Sequence, residues 1–402
     1  MLLKISHTLS FIIVSKQFLQ RVTYTASAAN TKAKSGSPYF YGSFSGFPMV
    51  NLPCFKGTRA FATTSFISIV KEEYMGADPT SIPILMRGEG SLIQPVDLEG
   101  FRQWNREKTK ALVDKVMDEN TAIDQFVHNG DYLGFELYGT VRCPMGLTRA
   151  LVRSGKKDFR IAGQGVHESD LLLAADSVRE IDWTYIGLEV YGVSSIARRA
   201  VESGFVTNIV EWSNAAITWR FKAAAMGIPF VATKSMLGTD TLKRSSAMVI
   251  ECPYTGDKLA LLPALVLDVG FIHVSRADKY GNCQIDGISG FAKEMSRASK
   301  RLIISCEELV EPEEIRAHPD KTMIPYYLVD AVVEQPYGSW PGEMAGCYER
   351  DEDHYRMFLE KSKTQTGTKE YMDNWVFDLP NHDALLEKIG KKKLEELRLE
   401  GK

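Results

Sequence analysis

An α/β protein built on an open, mostly parallel sheet with helices on both faces is the fold class that the sequence predicts, and three observations predict it. Short apolar runs (Tyr132 to Tyr138, Phe159 to Ala162, Thr184 to Val190, Phe230 to Ala232) alternate with stretches of helical period such as Ser194 to Glu202 and Ala215 to Ala225. A glycine loop, Gly139 to Pro144, joins the first run to a helix expected from Met145 to Arg153, the strand–loop–helix unit of parallel sheets. The 402 residues are 44% hydrophobic and 25% charged, enough for one large core or two smaller ones.

The first part of the chain stands apart by its charge. Residues 1–71 hold eight Lys/Arg and no Asp or Glu; taking these from the 48 basic and 51 acidic side chains leaves 40 and 51, a net charge of about −11. An acidic remainder argues against nucleic acid as the partner, because phosphate binding needs concentrated positive surface. The acid-free segment is rich in Ser, Thr and Phe and carries Arg59-Ala60-Phe61-Ala62, which looks like an organellar transit peptide with a matrix-processing site. The other reading is that the protein proper starts at Met75 or nearby. The expected compartment is the cytoplasm, or the mitochondrial matrix if the transit reading holds. Residues 1–74 are therefore set aside from the fold, 75–100 with Pro79, Pro83 and Pro95 read as an extended linker, and 101–402 as the domain.

Inside the domain, Ala111, Leu112, Val116 and Met117 predict a helix from about Arg102 to Asn120, and 121–127 a second short one. His128-Asn129-Gly130-Asp131 is a turn before the strand at Tyr132. Ala264 to Val274, Arg301 to Ser305 and Val329 to Val333 read as further buried strands. Helices are expected at Asp353 to Lys363, Lys369 to Trp375 and Ala384 to Leu397. No apolar run reaches the roughly 20 residues that span a bilayer, so no membrane is expected as a partner. The six cysteines form no C-x-x-C pair and no zinc spacing, so no metal is expected.

From Leu112 to about Gly390 the sequence resembles the alpha subunit of family I coenzyme A transferases, nearest the glutaconate branch. The residues that carry this are Asn129-Gly130-Asp131-Tyr132-Leu133-Gly134-Phe135 with Arg142-x-Pro144, Pro229-Phe230 after an alanine-rich helix, and His273-Val274-Ser275-Arg276-Ala277-Asp278-Lys279-Tyr280-Gly281-Asn282. Cys306-Glu307-Glu308-Leu309-Val310, Val329 to Val333, Pro336-Tyr337-Gly338-Ser339-Trp340-Pro341 and Trp375 to Leu379 follow in the family's order. One place departs from the pattern: where the family has Gly-Gly-Phe, this chain has Glu136-Leu137-Tyr138, with glycine only at Gly139.

The resemblance implies a sugar-phosphate isomerase-like sheet and a ping-pong reaction. A glutamate attacks an acyl-CoA thioester, an acyl-glutamyl anhydride forms, and the released thiolate turns it into a glutamyl-CoA thioester. In two-chain members that glutamate lies on the beta subunit, so the partners implied are a beta subunit in a hetero-oligomer, an acyl-CoA and a carboxylic acid, dicarboxylic or oxo. No cofactor is implied as permanently bound; the coenzyme A thioester is substrate. Gly139 and Thr140 would form the oxyanion loop, whose backbone N–H groups meet negative charge on the thioester oxygen. Glu136 beside that loop would raise the barrier unless protonated or turned away. Arg142 would hold a CoA phosphate or the acid's distal carboxylate, or else make a structural ion pair. Ser213 and Asn214 would cap a helix and could also face substrate. Glu189, near a predicted strand end where open α/β sheets bind ligands, is a further candidate. His273 reads as a packed strand histidine and Glu307–Glu308 as a solvated strand end. The rivals are a thioester hydrolase or C–C lyase on the same subunits, and an effector-sensing domain.

Overall fold

The computed structural model describes residues 82–399, all within the second of the chain's two units, Asp78–Lys402. The reading of residues 1–74 lies outside the described residues. The strands in chain order are β1 (Ile84–Arg87), β2 (Tyr132–Glu136), β3 (Phe159–Gly165), β4 (Val178–Ile186), β5 (Asn208–Glu211), β6 (Phe230–Thr233), β7 (Met248–Glu251), β8 (Lys258–Pro263), β9 (Leu267–Asp278), β10 (Cys283–Gln284), β11 (Ser299–Val310), β12 (Thr322–Ile324) and β13 (Ala331–Glu334).

Seven of them form a parallel sheet in the order β13-β11-β9-β2-β3-β4-β5, to which β10 and β12 add in antiparallel sense alongside the last residues of β9. Both faces are covered, and the strands alternate accordingly. On β11, Leu302, Ile304 and Cys306 enter a core shared with helices Asn214–Met226 and Ala292–Arg297. Ile303 enters the opposite core with Met145–Arg153, His167–Ala174 and Glu352–Ser362. Each such side chain removed from water stabilises by roughly 1.5–3 kcal/mol. The expected open α/β sheet is what forms.

Four local expectations differ from the structure. The helix expected at 102–120 is Leu98–Glu107 and stops at Lys108, whose ammonium turns inward to Asp330 Oδ2 (2.6 Å), Leu328 O (2.7 Å) and Lys300 O (3.0 Å). Residues beyond it run extended, bridging Val116 to Val332 and leaving Leu112 and Val113 exposed, so a helical spacing here marks no helix. The run Phe230–Ala232 belongs not to the parallel sheet but to a second, antiparallel one, β1-β7-β8-β6. Its hairpin is closed by Cys252 N–H on Asp257 O (2.7 Å), with Gly256 at φ +73°. β1 lies in the stretch read as linker, which here pairs with β7 because Gly88 and Gly90 N–H groups continue the contact to Ala247 O and Ser245 O. Finally, 384–397 is two helices, His382–Ile389 and Lys391–Leu397, parted at Gly390.

Candidate active site at the C-terminal edge of the parallel sheet

Chain direction brings the ends of β2, β3 and β4 to one edge, where open α/β sheets hold ligands. After β2, Tyr138 and Val141 exchange backbone hydrogen bonds of 3.1 Å each, closing a two-residue turn with Gly139 at φ +63°. The Gly139 N–H donates to Gln164 Oε1, 3.0 Å away at the end of β3. After β4, the turn Glu189–Tyr191 folds back, with Leu188 N–H on Gly192 O at 2.8 Å. Glu189 takes φ +51°, a left-handed conformation that disfavours a side chain, and Tyr191 OH ties the turn to the Glu352 carboxylate.

These turns meet. A Cβ on Gly139 would lie 2.6 Å from Glu189 Oε1, so the two turns touch; the φ of +63° favours glycine, while the exposed Glu189 carboxylate could swing aside from a methyl group. Glu189 is exposed, and among the described residues no cation pairs with it. The structure thus brings together Gly139, Thr140 and Glu189 and adds Gln164, which the sequence reading passed over because its strand ended at Ala162. The available signal was Gly163-Gln164-Gly165, one long polar side chain between two bare residues. Gly139 differs from expectation in one respect: its own N–H is engaged by Gln164.

Arg142 is elsewhere. It is fully buried, donating from Nε to Ile288 O (3.0 Å), from Nη1 to His273 O (2.9 Å) and from Nη2 to Glu136 Oε1 (3.0 Å). With those donors engaged it holds no phosphate or substrate carboxylate in this geometry; the ion pair is structural. The same contact turns Glu136 away from the loop. Burial pushes the Glu136 carboxyl up, with Arg142 and the Phe291 N–H pulling the other way. Ser213 caps helix Asn214–Met226, its Oγ accepting from Ala216 N–H at 3.1 Å, and Asn214 is exposed in the first turn. Both follow the edge strand β5 and do not join the Gly139–Glu189 contact.

A second polar group lies within β9 and β11, level with the end of β2, and Glu307, expected at a solvated strand end, is held inside it. His273 is buried, with Nδ1 2.8 Å from Ser305 Oγ and Nε2 2.6 Å from Glu307 Oε1. Glu307 also accepts from Tyr348 OH and the Tyr337 N–H, both at 2.7 Å, and borders a cavity of about 910 Å³. Burial pushes the Tyr348 hydroxyl well above its usual range, with the Glu307 charge adding to the shift. His273 is a packed strand residue. A second cavity, of about 700 Å³, opens beside β4 and β5 between Val193, Trp212 and Arg244. Among the described residues no group of three or more His, Cys, Asp or Glu could hold a metal ion, and no helix is long and apolar enough to cross a membrane.

The family model for coenzyme A transferase matches residues 116–335. The chain belongs to the coenzyme A transferase family. It is 30% identical to one of the subunits of glutaconate CoA-transferase from Acidaminococcus fermentans, over 71% of this chain and 95% of that one. The crystal structure of that enzyme superposes with a TM-score of 0.69 at 30% identity, over 71% of this chain and 96% of the other. Identity to the corresponding polypeptide of 3-oxoadipate CoA-transferase from Pseudomonas knackmussii is 31% over 68% of this chain and 97% of the relative. An uncharacterized protein of Archaeoglobus fulgidus is 43% identical over 86% of this chain and 78% of its own length. The chain is thus an enzyme of the coenzyme A transferase family, whose members use coenzyme A thioesters as substrates.

Proposed function

We propose that this chain is one subunit of a heteromeric coenzyme A transferase that moves CoA from an acyl-CoA to a carboxylic acid, with the nucleophilic glutamate on a partner subunit. The observation that carries the reading is coverage: the chain matches 95% and 97% of the length of two relatives that are each named as a single subunit of such an enzyme. The Gly139 turn supports it, since strand ends lined by glycine let a thioester approach the backbone. In this division of labour the partner's carboxylate forms the anhydride and then the glutamyl-CoA, while this chain binds the thioester and excludes water. The acid is of the dicarboxylic or oxo class, with the cavity beside Arg244 as space for it.

Purified chain alone should transfer no CoA and should gain activity on addition of the partner subunit. Full turnover by the lone chain would overturn the reading. A second reading, hydrolysis of the same thioester, is favoured by the exposed Glu189 carboxylate, which has the chemistry to take a proton from water. Free CoA released without an acceptor acid, at the rate of transfer, would select it.

A further inference from the structure

We infer that Gln164 is a catalytic residue of this site: the Gly139 N–H fixes its side-chain amide so that the Nε2 donors are left for the thioester carbonyl oxygen. The inference deepens the transferase reading and rests on it.

The direction of one hydrogen bond fixes the Gln164 amide. A backbone N–H can only donate, so the amide atom 3.0 Å from Gly139 N is the oxygen of Gln164, and Nε2 must occupy the other side. This settles an orientation that atom positions alone leave ambiguous. Nε2 has no acceptor among the described residues, Glu189 included, and it is not one of the enclosed polar atoms left without a partner. Gln164 is 8% exposed, so the amide is held by packing while this donor end reaches the surface.

The surroundings suit a reacting carbonyl. Gly163 and Gly165 flank Gln164 on the opposite face of β3, and a Cβ on Gly165 would lie 3.0 Å from Trp183 Nε1, so glycine there lets the Trp183 indole pack close against the strand that carries the amide. The donor first expected at this edge, the Gly139 N–H, is not lost but acts at one remove. Accepting it at Oε1 polarises the amide and strengthens donation from Nε2.

The step it serves conserves atoms and electrons. The partner's glutamate oxygen adds to the thioester carbon, and the carbonyl π pair moves onto oxygen, where Nε2–H meets the charge. The pair then returns as the C–S bond breaks and CoA leaves as thiolate. Gln164 neither gains nor loses a proton.

The test uses the full chain combined with its partner subunit, with acetyl-CoA and glutaryl-CoA as donors, both labelled in the CoA moiety. The rate of covalent CoA attachment to the partner and the Kd of each ester are followed. Gln164→Glu keeps an oxygen for Gly139 and removes both donors; Gln164→Met removes all polar atoms at similar size. Attachment should slow by roughly 100-fold in both, as for loss of one oxyanion donor, while Kd changes by less than about threefold. A folded variant of either kind, judged by an unchanged Tm, that attaches CoA at the wild-type rate would overturn the assignment; if Gln164→Glu does not fold, Gln164→Met decides. A wild-type complex that attaches no CoA would overturn the transferase reading itself, before any substitution is made.

Discussion

Two groups of polar residues sit at the same edge of the sheet, and they differ in one respect that matters more than their composition. Within β9 and β11, level with the end of β2, Ser305, His273 and Glu307, joined by Tyr348, have the residue types of a catalytic relay, yet their main donors and acceptors find partners within the chain. At the ends of β2, β3 and β4 the residue types are plainer. Glycines surround one amide and one carboxylate, and the backbone at Glu189 is strained. The first group is saturated and stabilises the fold; the second has unmet capacity facing outward. Unmet hydrogen-bonding capacity, not the inventory of titratable groups, marks the candidate site.

The largest effect should come from breaking a saturated contact. Arg142→Met leaves the Glu136 charge buried without its partner and should cost about 3–5 kcal/mol in urea unfolding. The double variant Glu136→Leu with Arg142→Met should recover most of that loss, because the two buried charges go together. Next, Glu307→Leu strands the Tyr348 hydroxyl, the Tyr337 N–H and His273, and should cost about 2–4 kcal/mol. The folded fraction should keep its transfer rate; a fall in kcat without a fall in stability would erase the contrast between the two groups.

Much of this contrast was legible in the sequence, and the rest depended on register. The strand from Tyr132, the Gly139 turn and the helix Met145–Arg153 are local signals, as is the cap at Ser213, and they lie where the pattern put them. Glu136 in place of a family glycine was visible as a problem. Its solution was not, because the pairing of Glu136 with Arg142 needs the 138–141 turn to bring two residues six apart face to face. Gln164 had only the local signal of lying between Gly163 and Gly165; its meaning comes from the pairing of β3 beside β2, which sequence neighbours do not give. The helix expected through 111–117 failed because a buried ammonium at Lys108 outweighed local periodicity.

Three smaller effects sharpen the contrast. Gly139→Ala adds a methyl group at φ +63° and against the Glu189 carboxylate, and should cost about 1–2 kcal/mol. Glu189→Gly in that background should relieve the contact part of the cost while leaving the φ part. Asp170, whose carboxylate accepts from the Ser194 hydroxyl that caps the helix after the Glu189 turn, gives a pH signature. Burial pushes its carboxyl up to about 7 from 3.8. The folded chain therefore keeps a proton that the unfolded chain releases, and this stabilisation is complete below about pH 4 and lost as pH rises through about 7. Asp170→Asn should flatten the dependence of the urea midpoint on pH across that window. The smallest change in stability is expected for Glu189→Gln, within about 0.5 kcal/mol, since the side chain is exposed. Any release of free CoA without acceptor should fall with it.

The strand Ile84–Arg87 carries a practical lesson about where this protein can be cut. It closes one border of the antiparallel sheet, and the family model's match begins 29 residues after Arg87, at 116. A chain trimmed to that match would bare the outer backbone groups of Met248–Glu251 and withdraw the Trp104 indole from the Lys300 carbonyl. Such a fragment would keep every residue proposed here for chemistry and still present a sticky, unpaired ribbon to its neighbours. The boundaries of the family model and those of a well-behaved molecule are, in this case, different places.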